Sequence, residues 1–162
     1  MIKEQNKKIY FIGIGGIGMS GIAEFLHFQG FKVSGSDLIH SDRTDYLSSL
    51  GIEINIGHSR KNIKNQDIIV YSSAVKMDNI EILESKNKNI PIIKRAEMLG
   101  ELLKLKKISI AISGTHGKTT SCSMLSSILI EADLKPTVII GGIVNNFGSN
   151  TISGEGDIIV VE

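Results

Sequence analysis

Twice along this chain an apolar, strand-like run leads straight into a glycine-rich loop and then into a segment with helical periodicity. The first passage carries Ile9-Tyr10-Phe11-Ile12 into Gly13-Ile14-Gly15-Gly16-Ile17-Gly18. The second, about a hundred residues further on, carries Ile108-Ser109-Ile110-Ala111-Ile112 into Gly114-Thr115-His116-Gly117-Lys118-Thr119-Thr120. Strands that turn at once into helices belong to α/β architectures with a parallel sheet. Each loop also aims backbone N–H groups and the positive end of a helix dipole at one point, which makes it a cradle for an anion. Two cradles imply two phosphate compounds on one chain, with phosphoryl transfer as a use for the pair.

The rest of the pattern extends this α/β reading. Strands are predicted near residues 8–12, 31–35, 52–56, 67–71, 90–93, 107–112, 136–140 and 157–161. Several are apolar at nearly every position, as strands covered on both faces of a parallel sheet tend to be. Met19, Ile22, Ala23 and Leu26 fall at helical spacing and predict one buried helix face, which Gly30 ends. A second helix is expected at about 95–105, with Leu99, Leu102 and Leu103 on one side. A third follows the second cradle, with Leu125, Ile128, Leu129 and Ala132 as its inner face. The pattern restarts after Lys104-Leu105-Lys106-Lys107. The expected organisation is therefore a whole Rossmann-like domain over 1–105 and the beginning of a P-loop-type α/β ATPase domain over 106–162. With three predicted strands, that second sheet would leave apolar faces and edges open.

In the first cradle Gly13, Gly15 and Gly18 fit G-x-G-x-x-G: a tight turn, close approach to a pyrophosphate, and close helix–strand packing. Asp37 stands 19 residues after Gly18, at the end of the second strand, where a carboxylate can accept from a ribose hydroxyl. The fingerprint by itself does not choose between NAD, FAD and a UDP compound. In the second cradle Lys118 and Thr119 have the chemistry of a P-loop, an amine for phosphate oxygens and a hydroxyl for Mg²⁺. The loop is short, because the usual first glycine would fall at Ile112 and the glycine present is Gly114. Glu162 ends the last apolar strand, where P-loop proteins offer an acid to the magnesium and where a polar strand end is equally ordinary. Cys122 reads as packed, and His27, His40 and His58 make no zinc or iron spacing.

Composition closes off other classes. Eighteen Lys and Arg nearly cancel seventeen Asp and Glu, so no one-signed field argues for nucleic acid or an anionic membrane. No apolar run approaches the roughly 20 residues that span a bilayer. The polar opening Met1–Lys8 lacks the apolar core of a signal peptide, and one cysteine forms no internal disulfide. A cytoplasmic protein is expected. The pattern is silent on oligomeric state.

Five blocks occur here in the order found in one family: Gly13 through Ala23, Ser34-Gly35-Ser36-Asp37, Ser72-Ser73-Ala74-Val75, Arg95-Ala96-Glu97-Met98-Leu99, and Gly114 through Thr120. The chain resembles the ATP-dependent Mur ligases of peptidoglycan synthesis over nearly its whole length. The Gly-Gly-Ile-Gly-Met-Ser run is similar to the alanine-adding members, and His116 is shared with the ligase that recycles a whole tripeptide. The resemblance implies three domains, for UDP-sugar, for ATP, and a C-terminal one, with the second cut short at Glu162 and the third missing. It implies UDP-N-acetylmuramate and L-alanine as substrates, ATP and Mg²⁺ as cofactors, and attack of a lactyl carboxylate on the γ-phosphate to give an acyl phosphate that the amine opens. It assigns ATP to Gly114, Thr115, His116, Gly117, Lys118, Thr119 and Thr120. Lys118 and Glu162 take catalytic roles, and Thr119 and Glu162 hold the metal. The UDP-sugar falls to Gly13, Gly15, Gly16, Ile17, Gly18, Asp37, Ser72, Ser73 and Arg95, the last reaching the phosphates or lactyl carboxylate unless it is an exposed helix-start residue. Two rivals stand beside it. A nicotinamide-dependent oxidoreductase accounts for residues 1–105 but leaves Lys118-Thr119-Thr120 unexplained, and a nucleotide-binding module without catalysis would need no more than the chain holds.

Overall fold

A computed structural model of the chain describes residues 6–144 and 149–162. The opening residues 1–5 of the polar stretch lie outside the described residues. The chain divides into two compact units, Met1–Leu99 and Gly100–Glu162.

In the first unit, β1 (Lys8–Ile12), α1 (Ile17–Phe28), β2 (Lys32–Asp37), α2 (Asp42–Ser49), β3 (Glu53–Ile56), β4 (Ile68–Tyr71), α3 (Ile80–Asn87) and β5 (Ile92–Lys94) follow in order, with a 3₁₀ turn at Arg60–Asn62. The sheet order is β3-β2-β1-β4-β5, with every pairing parallel. β1 is central, which explains its unbroken apolar run. Ile9 and Phe11 are fully buried on one face, and Tyr10 and Ile12 join Ile63, Ile69, Tyr71 and Ile82 on the other. The predicted α1 face is buried at all four positions, and Gly30 follows the helix at φ 86°. β2 runs close beside β1 because Gly35 has no side chain there. A Cβ at Gly35 would sit 2.6 Å from the Phe11 carbonyl oxygen.

The second unit begins within α4 (Arg95–Leu103) and continues through β6 (Ile108–Ala111), α5 (Lys118–Glu131), β7 (Thr137–Val144), β8 (Ser149–Ile152) and β9 (Ile158–Val161). Its sheet order is β6-β9-β7-β8. β9 pairs in parallel with both β6 and β7, whereas β8 pairs antiparallel with β7. β8 adds an antiparallel edge that no apolar run announced. The α5 face also differs from expectation. Cys122 and Ser126 are buried and Leu125 and Leu129 pack on the sheet core, while Ile128 and Ala132 face outward. The helix is rotated toward its small residues, which let it approach Val138, Ile140, Ile158 and Val160.

Candidate functional site

Strand order reverses between β1 and β4. In open α/β sheets that reversal leaves a crevice beyond the carboxyl ends of the two strands, where ligands bind. Here the crevice is a cleft of about 650 Å³. The loop after β1 (Gly13, Gly15, Gly16) forms one wall and the turn after β4 (Ser72, Ala74, Val75) another, with Asp37, Leu38, Ile39 and His58 completing it.

Each glycine of the first cradle has its own physical reason. Gly13 takes φ 82°, and its amide and that of Ile14 donate to the Ser36 carbonyl at 2.8 and 3.0 Å. A Cβ at Gly15 would lie 2.9 Å from Asp37 Oδ2, the atom that accepts the Gly15 amide at 2.8 Å. Asp37 also accepts from the Leu38 amide through Oδ1, at 2.8 Å. It is thus a brace of the loop, and each oxygen keeps a lone pair for a ligand hydroxyl. The third glycine differs from the fingerprint reading. A Cβ at Gly18 would meet Arg95 Nη1 at 2.5 Å, so this position makes room for a guanidinium rather than for a strand. Ile17 is 40% exposed beside it. The Ser72-Ser73 turn is divided: Ser72 faces the cleft, while Ser73 lines a second hollow of about 610 Å³ with Tyr71, Lys94 and Arg95.

Helix starts separate the cradles from ordinary turns. α2 is capped by Ser41, α3 by Asn79 and the 3₁₀ turn by Ser59, each side chain accepting a backbone N–H. α1 and α5 open on Gly16 and Gly117, with no side-chain cap and no acidic residue in the first turn. An uncapped helix start leaves its first amides to an outside acceptor, and the dipole favours a negative one.

The second cradle is open. Gly114, Thr115, His116 and Gly117 are exposed, with Gly114 at φ 153° and Gly117 at φ 75°. Lys118 Nζ folds back to donate to the Gly114 carbonyl at 2.7 Å, spanning the loop that a phosphate would enter. Thr120 is exposed on the first turn of α5. Because β6 and β9 are parallel neighbours, the residue closing β9 stands beside the loop leaving β6. Thr119 Oγ1 donates to Glu162 Oε1 at 3.0 Å. Glu162 Oε2 is buried with no hydrogen-bond partner. An orphaned buried carboxylate oxygen next to a hydroxyl suits a hard cation, whose other ligands phosphate oxygens and water would supply. Among the described residues no trio of His, Cys, Asp and Glu could hold a metal. Cys122 is fully buried, and burial together with the Glu162 charge pushes its thiol up to about 11. Such a thiol is inert.

Sequence reading missed two residues. His58 lines the first cleft, and its Nδ1 lies 2.9 Å from the fully buried Glu81. Neither belongs to a spaced motif. The only signal was Asn79, a helix cap two residues before Glu81.

A family model described as the Mur ligase family, catalytic domain, matches residues 8–107. UDP-N-acetylmuramate–L-alanine ligase of Aquifex aeolicus is 54% identical over 162 residues, which cover 100% of this chain and 36% of that protein. The crystal structure of a UDP-N-acetylmuramate–alanine ligase from Thermotoga maritima superposes with a TM-score of 0.86 at 37% identity, over 95% of this chain and 36% of the other. A UDP-N-acetylmuramate:L-alanyl-γ-D-glutamyl-meso-diaminopimelate ligase from Neisseria meningitides gives 0.84 at 30% identity, over 97% and 52%. The chain therefore spans little more than a third of the curated relative it matches. Among the described residues no helix is long and apolar enough to cross a membrane.

Proposed function

We propose, on the premise that the chain belongs to the Mur ligase family, that it is the N-terminal part of an ATP-dependent ligase joining L-alanine to the lactyl carboxylate of UDP-N-acetylmuramate. The observation that carries the substrate assignment is the 54% identity to an alanine-adding ligase over 162 residues, the full length of this chain. In this reading residues 1–105 are the UDP-sugar domain, and 106–162 begin the ATP-binding domain. The work is cytoplasmic.

The reaction asks for positioning and charge neutralisation more than for covalent help. The amides of the first cradle and the Arg95 guanidinium beside Gly18 would hold the diphosphate, with Asp37 on the ribose and the Ser72-Ser73 turn along the rest. The amides of Gly114 through Thr120 would cradle the ATP phosphates. Lys118 would exchange the Gly114 carbonyl for a phosphate oxygen, where its charge offsets that developing on the γ-phosphoryl group. Thr119 and Glu162 would hold Mg²⁺, which when bound supplies Lewis-acid neutralisation of the triphosphate. The unpaired Glu162 Oε2 supports that assignment. An acyl phosphate formed on the lactyl carboxylate then gives L-alanine a good leaving group to displace.

Calorimetric titration of the 162-residue chain tests this reading. UDP-N-acetylmuramate should bind, NADH should not, and no amide should form with ATP and L-alanine present. Preference for NADH, or measurable ligation, would count against it. The Neisseria ligase superposes nearly as well, at 0.84, but at 30% identity against 37% for the Thermotoga enzyme, so L-alanine rather than a peptide is taken as the amine. Offering L-alanine and a tripeptide to the full-length enzyme separates the two.

A further inference from the structure

The sheet of the first unit has a further hollow, at the end away from the cleft. Its lining includes the opening residues of three strands, Lys8 of β1, Lys32 of β2 and Glu53 of β3. It therefore lies at the amino ends of the strands. At about 290 Å³ it has room for one small molecule. Lys8 and Lys32 are direct partners in the parallel register of β1 and β2, and Lys64 joins them from the loop after the 3₁₀ turn. Like charges side by side on adjacent strands repel and cost stability. Among the described residues none of these three ammonium groups is in an ion pair. Glu53 is the single carboxylate of the lining, and Asp67 nearby accepts the Lys8 amide at 2.7 Å. Lysines that served only solubility would gain by spreading apart.

The floor of the hollow is fixed from beneath by a knot of hydrogen bonds on the fully buried Glu81. Tyr10, itself 1% exposed, donates to Glu81 Oε1 at 3.0 Å. Asn62 Nδ2 donates to the same oxygen at 2.6 Å and to the Gly57 carbonyl at 3.2 Å. Ser36 Oγ at 2.6 Å and His58 Nδ1 at 2.9 Å complete the knot on Oε2. Both amide hydrogens of Asn62 are thus used, which leaves its Oδ1 as an acceptor for what enters. Gln66 staples the loop that closes the hollow. It accepts the Lys64 amide at 2.7 Å and donates to the Asn62 carbonyl at 3.0 Å.

Such a hollow asks for a ligand with two ends. Three ammonium groups suit a phosphate, whose charge and oxygens can engage all of them, better than a carboxylate. A neutral floor with a fixed acceptor suits a hydroxyl. We propose that the amino-end hollow binds a small phosphate monoester that carries hydroxyl groups, with Lys8, Lys32 and Lys64 on the phosphate and Asn62 on a hydroxyl. The site is separate from both cradles and does not depend on what they hold.

The test uses the ¹⁵N-labelled 162-residue chain, titrated with glycerol 3-phosphate, inorganic phosphate and glycerol at fixed ionic strength. Because the cradles also attract phosphate, NMR must resolve the sites. The side-chain amides of Asn62, Asn65 and Gln66 report the hollow, and the backbone amides of Gly16 and Gly117 report the cradles. Glycerol 3-phosphate should move the hollow's signals saturably, with inorganic phosphate weaker by about tenfold and glycerol silent. Lys32→Gln should weaken that titration roughly tenfold and leave the cradle signals within about twofold of the parent. The same substitution relieves the repulsion between Lys8 and Lys32. The empty variant should therefore melt about 2 °C above the parent, a margin that glycerol 3-phosphate narrows. Still signals in the parent, or a parent-like titration of Lys32→Gln, overturn the site. So does an equal response to sodium chloride, which would mean an adventitious ion only. Equal affinity for phosphate and its ester overturns the hydroxyl contact. A variant that melts below the parent assigns Lys32 to the fold and overturns the case for a ligand.

Discussion

The two cradles share a plan and differ in how much of a binding site surrounds them. The first is walled by its own unit: Asp37 braces the loop, Ser72 closes against Gly13, and Arg95 covers Gly18. Its exposed apolar residues Leu38 and Ile39, each 68% exposed, line the cleft where a flat base could lie. The second cradle stands in the open, with one lysine folded across it. Around it Ile108 on β6 and Met124 and Ile128 on the outer face of α5 are 51%, 63% and 64% exposed. A loop becomes a nucleotide site when other elements enclose it. The glycine motif alone supplies only the backbone for one.

The largest effect that would break this contrast is on phosphoryl transfer. Lys118→Met in a full-length enzyme removes the one side-chain cation of the second loop, and should lower turnover by about a thousandfold. UDP-N-acetylmuramate affinity should stay within about twofold, because the first cleft is built without Lys118. Equal loss of both, measured by turnover and calorimetry, would mean that the two loops do not hold separate ligands.

Cys122 gives a second and smaller reading of the same contrast, since it is the single cysteine and lies in the second unit. With its thiol raised from the ordinary 9.0 to about 11 by burial, then by Glu162, the thiolate fraction near pH 8 falls about a hundredfold. Alkylation by iodoacetamide should be slower than that of a free thiol by at least this factor, and should rise with pH up to about 11. Mg-ATP should slow it further, while UDP-N-acetylmuramate leaves it unchanged. Protection by the UDP-sugar would show the units to be linked.

The sequence made most of this legible where one residue type had one physical use. Continuous apolar runs found the central strands of both sheets but not the edge strand β8, whose sequence Ser149-Asn150-Thr151-Ile152 is mostly polar, and glycines followed by helical spacing found both cradles. It was illegible where local cues are polar. α2 buries only Thr44 and Leu47, so its periodicity is weak, and a capping box between Ser41 and Thr44 was the signal that could have found it. The α5 face was misjudged because periodicity treats Ile128 as inward, whereas the helix seats Cys122 and Ser126 against the sheet. The Gly18–Arg95 contact and the Glu81 knot join residues 77 and 71 positions apart in the case of Gly18–Arg95 and Tyr10–Glu81, and no spacing rule connects them.

That Gly18–Arg95 contact sharpens the comparison at a tenfold scale. Gly18→Ala places a methyl where Arg95 Nη1 lies, so the guanidinium must swing away from the α1 start. Loss of one charged contact to a diphosphate should cost roughly tenfold in affinity for the UDP-sugar. Mg-ATP binding should be untouched. Gly100→Ala, where a Cβ meets nothing within 4 Å, is the control and should leave both affinities as they were.

The smallest effect concerns stability of the first unit alone. Glu24 is buried on α1, and desolvation raises its carboxyl above the ordinary 4.5, opposed by the hydrogen bond it accepts from Tyr46 at 2.9 Å. A carboxyl raised in the folded state binds its proton more tightly there than in the unfolded chain. Its favourable contribution is therefore complete below the unfolded value and is lost as pH rises through the folded one. Glu24→Gln removes that loss while keeping an acceptor for the Tyr46 hydroxyl. The variant should melt about 2 °C higher than the parent at pH 7, and the gain should vanish below pH 4. Because Glu24 lies in Met1–Leu99, the shift should fall on that unit's transition, with the signal from Gly100–Glu162 unmoved. A gain that persists at low pH would mean that the glutamine improves packing, and that the buried charge was never the cost.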